Sequence, residues 1–94
     1  MRYISNMATI RIPVPLRKLV EGSEEIKTFG ETLDECLTLL CLSYPDMKER
    51  LYDENGEVRK FINIFVNDED MRFLETQDIK EGDVISIVPA IAGG

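Results

Sequence analysis

The sequence predicts an α+β domain of two layers, a mixed sheet packed on one main helix, and three observations lead there. Ala8, Ile10, Ile12 and Val14 alternate with Thr9, Arg11 and Pro13, the period of two that marks a half-buried strand. Leu33, Cys36, Leu37, Leu40, Cys41 and Tyr44 recur at helical spacing and give one apolar face. Two further apolar runs, Phe61 to Val66 and Val84 to Val88, read as strands on either side of a polar stretch. One helix laid against several strands is a two-layer arrangement.

Pro13 and Pro15 place the end of the first strand near a sheet edge or in the following loop, because neither can donate to a ladder. Leu16 to Glu25 reads as a connector carrying Gly22 and Ser23. A second strand is expected over Glu25 to Phe29, with Ile26 its clearest inward residue, close enough to the first to form an antiparallel hairpin. Thr32 opens the helix. With Glu35 three residues on it forms a capping box that satisfies amides of the first turn. Pro45 ends the helix, and a short helical turn is expected over Asp46 to Leu51. Asn55-Gly56 suits a tight turn.

Asn63 is the polar member of the next strand, so Ile62, Ile64 and Val66 are assigned inward and Phe61 and Phe65 outward. Asn67 to Asp70 is expected to turn and Met71 to Leu74 to return as a short strand, with Met71 and Phe73 alternating about Arg72. A loop or helical turn over Thr76 to Glu81, closed by Gly82-Asp83, leads to the last strand. There Ile85 and Ile87 are assigned inward, Ser86 and Val88 outward.

Ninety-four residues support a single core. The chain has no histidine, which removes the usual general base near neutral pH and the commonest transition-metal ligand. Catalysis by the chain alone is therefore disfavoured. Eleven basic against eighteen acidic residues leave a net charge of −7, which disfavours nucleic acid or an anionic membrane as partner and suits docking on a more basic protein. Cys36 and Cys41 lie five apart on one helix, poorly placed for a mutual disulfide, and read as reduced thiols. With no signal peptide and no apolar run long enough to span a bilayer, the expected location is cytoplasmic. Asp68-Glu69-Asp70 lacks the spacing of a Ca²⁺ loop and reads as a solvated turn.

The sequence ends on Gly93-Gly94, after Pro89-Ala90-Ile91-Ala92. Glycine has no Cβ, so a diglycine passes through channels that larger residues would block, and it can carry the terminal carboxylate to a reacting centre. A frayed terminus of small residues is the plainer alternative.

The strand order, with a last strand running into Gly93-Gly94, resembles the ubiquitin-like β-grasp fold. Ile79-Lys80-Glu81-Gly82-Asp83-Val84, then Ile87-Val88-Pro89 and Ala90-Ile91-Ala92-Gly93-Gly94, resembles the ending of the MoaD/ThiS sulfur-carrier family. The stretch Phe61 to Phe73 resembles the CysO type, which delivers sulfur for cysteine biosynthesis. The resemblance runs from about Ala8 to Gly94 and implies a β-grasp domain over 8–88 and a flexible tail over 89–94. Residues 1–7 read as a leader or an alternative start at Met7.

The resemblance also implies a chemistry. An E1-like enzyme uses ATP to adenylate the carboxylate of Gly94, and sulfur from a donor replaces AMP to leave a thiocarboxylate. Gly93 gives the tail passage. The chain itself binds no cofactor and needs no acid or base. Phe65 and Val88 are analogous to the apolar patch that ubiquitin-like proteins present to partners, and Ile91 and Ala92 are expected to contact partners along the tail. The implied acceptor is a cysteine-synthase-like enzyme. Alternatives with the same tail are the small subunit of molybdopterin synthase, working with its large subunit, a carrier for thiazole synthesis and a ubiquitin-like modifier joined to lysine amines. An interaction module with an incidental diglycine also remains open. The free chain is expected to be a monomer.

Overall fold

The first and last strands lie side by side and parallel at the centre of the sheet, with Ile10 opposite Ile85. The computed structural model of the chain describes residues 7–90. Strand β1 (Ala8–Arg11) pairs antiparallel with β2 (Glu25–Thr28), and β5 (Val84–Pro89) pairs antiparallel with β3 (Ile62–Val66). Strand β4 (Glu69–Asp70) closes the far edge, so the order is β2-β1-β5-β3-β4. Helix α1 (Leu33–Ser43) and the short α2 (Asp46–Leu51) follow β2 in sequence.

The alternation read from the sequence sets the two faces. Ala8, Ile10, Ile62, Ile64, Val66, Ile85 and Ile87 are buried in one cluster with Leu33, Cys36, Leu37 and Leu40 of α1 and Met47 and Leu51 of α2. Each such aliphatic side chain stabilises the fold by roughly 1.5–3 kcal/mol relative to exposure. Cys41 and Tyr44, assigned to the same helical face, are only partly buried because they lie at its margin. Both cysteines are free.

The start of α1 is capped as its sequence indicates, with one difference. The Glu35 N–H donates to Thr32 Oγ1 at 3.1 Å, while the Glu35 carboxylate accepts from the N–H of Glu31, one residue before the cap, at 2.6 Å. Gly30 is required by space. A Cβ there would stand 2.8 Å from both the backbone nitrogen and the Sγ of Cys36.

Several expectations are corrected. The first strand stops at Arg11, and Val14 is 70% exposed instead of lying on the inward face. Part of the expected connector is a 3-10 helix, Val14–Val20, which buries Leu16 and Val20. Pro15 stands in its first turn, where a missing N–H costs nothing, and Arg17 Nε ties it back to the Ile12 carbonyl at 2.9 Å. Strand β2 ends before Phe29, and Thr28 is its most buried residue, with Ile26 only partly covered.

The largest correction is at Met71 to Leu74, which is no strand. Asn67 and Asp68 make the hairpin turn, both at positive φ, which suits a two-residue connection of primed type. After two paired residues the chain enters a 3-10 turn, Met71–Phe73. The Asp70 carboxylate explains it. It accepts from the Arg72 N–H at 2.8 Å and from the Arg72 guanidinium at 3.0 and 2.7 Å, and this local bonding outcompetes the ladder. Phe73 consequently points outward, 71% exposed.

Candidate functional site

Strand β5 carries the chain toward its C-terminus from the middle of the sheet. Pro89 is the last residue of β5, opposite Ile62. Beyond it the Ala90 N–H donates to the Phe61 carbonyl at 2.6 Å. Since alternate residues of a strand bond to opposite sides, Val88 and Ala90 face β3 and the nitrogen of Pro89 faces the side of β1. The ladder with β1 has already ended at Arg11–Ser86, so the proline's missing donor breaks no sheet bond. The sequence-predicted residues Ile91, Ala92, Gly93 and Gly94 lie outside the described residues.

The remaining two predicted contacts, Phe65 and Val88, lie on the sheet face away from α1. Phe65 belongs to a row that crosses all five strands, Glu25–Arg11–Ser86–Phe65–Asp70. Val88 lies opposite Asn63 and is 43% exposed. Phe65 and Val88 are therefore diagonal neighbours on adjacent strands, a spacing of about 7–8 Å. Both face outward, as their alternation predicts, but Ser86 and Asn63 share the intervening surface. The patch is a pair of apolar residues in a polar face that also carries Arg11, Lys27 and Glu25.

A nearer neighbour of the end of β5 is Phe61. Its carbonyl holds Ala90, and its side chain is 51% exposed. It lines a groove of about 320 Å³ with Pro15, Leu16, Pro89, Arg50 and Arg59. Strand alternation had placed Phe61 outward; it carried no sign that Pro15 and Arg50 would meet it there.

The thiols offer little competing chemistry. Burial pushes the Cys36 thiol up, partly offset by the Thr28 hydroxyl and the Gly30 backbone, and burial likewise raises Cys41. Both are held further from the reactive thiolate at neutral pH. Among the described residues no group of three or more His, Cys, Asp or Glu side chains is arranged to hold a metal ion. Asp70, one of the acidic turn residues, is instead committed to Arg72. No helix among the described residues is long and apolar enough to cross a membrane.

Comparison with known proteins agrees with the fold and with the chain's ending. The ThiS family model matches residues 10–94. The sulfur carrier protein CysO of Mycobacterium tuberculosis is 41% identical over 91 residues, covering 92% of this chain and 97% of that protein. Its crystal structure superimposes with a TM-score of 0.81 at 36% identity, over 89% of this chain and 99% of that one. CysO from an Amycolatopsis orientalis BexX/CysO complex gives a TM-score of 0.82 at 36% identity, over 93% and 99% of the two chains. The small archaeal modifier protein 1 of Methanosarcina acetivorans gives 0.79 at 28% identity, over 99% and 100%. The mixed five-stranded sheet is thus a ubiquitin-like β-grasp, the chain is homologous to the CysO sulfur carriers, and it belongs to the ThiS family.

Proposed function

We propose that this chain is a sulfur carrier, a protein cosubstrate and no enzyme by itself, that serves cysteine biosynthesis. An E1-like enzyme adenylates the carboxylate of Gly94 with ATP and releases pyrophosphate. A sulfide equivalent from a donor then attacks the acyl carbon, AMP departs, and a thiocarboxylate remains. A carboxylate is a poor acyl donor and AMP a good leaving group, so activation must precede sulfur entry. The observation that carries this reading is the similarity to CysO sulfur carriers along almost the whole chain, with the family match reaching Gly94. The absence of histidine is compatible with it, because the activating and accepting enzymes supply the acid and base groups. The activating enzyme and a cysteine-synthase-like acceptor are the partners this chemistry needs, and Phe65, Val88, Ile91 and Ala92 are the residues we assign to contact them. The setting we assign is the cytoplasm.

Intact mass spectrometry after incubation with the host's E1-like enzyme, ATP and a sulfide source tests the reading. The expected result is a gain equal to one oxygen replaced by one sulfur, mapped to Gly94. No gain, with an enzyme active on another carrier, overturns it. The likeness to a small archaeal modifier supports a second reading, conjugation of Gly94 to lysine amines. Isopeptide-linked adducts in cells are its signature.

A further inference from the structure

The β3 edge is left half open. Strand β4 pairs only with Phe65 and Val66, and the chain then turns into the 3-10 segment Met71–Phe73 instead of continuing alongside Ile62–Ile64. Alternation sends the backbone groups of Asn63 and Phe65 toward β5 and those of Ile62 and Ile64 toward this edge. The Ile62 N–H is taken by the Arg59 carbonyl at 3.0 Å. The ladder with β4 ends at Phe65–Asp70, and none of the turn and loop bonds among the described residues engages the Ile62 carbonyl or the Ile64 N–H. These are the two groups that one residue of a parallel strand, lying opposite Asn63, would engage together. Unpaired edges are templates for strand addition.

A groove of about 510 Å³ runs along this edge, between the Val58–Lys60 segment and Asp70–Arg72. Val58, Ile62, Ile64 and Met71 supply apolar walls. Arg72 and Asp70 pair with one another, which leaves Arg59 and Lys60 as an excess of two positive charges along the groove. In a chain of net charge −7 this is a local reversal of sign. It selects an acidic occupant, whereas a second copy of this acidic chain would meet general repulsion.

We infer that the open edge of β3 at Ile62–Ile64 docks an extended acidic segment of a partner protein, which adds to the sheet as a strand on the side of β3 away from β5. Backbone bonds to Ile62 and Ile64 supply the register, alternate apolar side chains enter the groove, and carboxylates meet Arg59 and Lys60. The site is distinct from the Phe65–Val88 pair. It lies at the sheet edge, and its occupancy needs no sulfur chemistry.

The test uses the full chain and a labelled peptide of sequence Glu-Val-Asp-Val-Glu, capped at both ends. Fluorescence anisotropy gives its affinity and backbone NMR gives its site. The expected result is saturable binding with the largest amide shifts at Ile62–Ile64 and Met71–Arg72. A peptide with lysine at every acidic position should bind at least tenfold more weakly, and N-methylation of the central residue should weaken binding about three- to tenfold for the lost backbone bond. Lys60→Glu, at an exposed side chain, should weaken the acidic peptide and leave the fold intact. Absence of saturable binding, equal binding of the lysine peptide, or shifts confined to other surfaces would overturn the inference. These readouts are independent of Gly94, so a failed thiocarboxylation assay leaves them standing, and the reverse holds.

Discussion

The Ala90 amide bonds to the Phe61 carbonyl at 2.6 Å, one step beyond Pro89, so the sheet guides the chain until four residues before its end. Phe61 and Ala90 stand 29 positions apart in the sequence and meet only because β3 and β5 pair.

Deleting Gly94 should abolish thiocarboxylate formation and shift the thermal midpoint by less than about 2 °C. Among the described residues the buried core is supplied by residues between Ala8 and Ile87, and the expected loss is chemical. Mass spectrometry and a melting curve on the same sample check both halves.

Phe65→Asp and Val88→Asp should each weaken binding of the E1-like enzyme by about tenfold while the circular dichroism spectrum is retained. Each places a charge on the outer face, away from the core. Undiminished binding by both variants would remove the pair from the interface.

Gly30→Ala should destabilise the fold by about 1–3 kcal/mol, read by urea denaturation. The new methyl would stand 2.8 Å from the Cys36 nitrogen as well as its Sγ. Cys36→Ala in the same chain should therefore restore only part of the loss.

The Arg72 side chain, followed by the Arg72 N–H, holds the Asp70 carboxyl down to about 2, below its ordinary 3.8. Because the folded value is depressed, the stabilisation from this carboxylate is complete above pH ~4 and is lost as the pH falls through about 2. A carboxyl-carbon NMR titration should show that midpoint. Arg72→Ala should raise it only part of the way, since the backbone donor at residue 72 remains.

Local pattern made much of this protein legible. Alternation assigned the inward residues of β3 and β5, helical spacing assigned Leu33, Cys36, Leu37 and Leu40 to the core, and Thr32 marked the start of α1. In each case neighbours along the chain carry the information. The resemblance of the final sixteen residues to sulfur carriers named the family, and the family match runs through them.

Tertiary structure decided the rest. The strand return at Met71 was misread because the chain leaves β3 after Asp70, whose carboxylate bonds the N–H and guanidinium of Arg72 in a 3-10 turn. The first strand was read too long because Pro13 and Pro15, two residues apart, break the ladder while the apolar spacing continues. Phe61 meeting Pro15 and Pro89, the row that sets Phe65 between Ser86 and Asp70, and the open edge beside Ile64 are likewise absent from any local pattern. They depend on which strands pair, and that choice is made by burying apolar faces contributed from opposite ends of the chain.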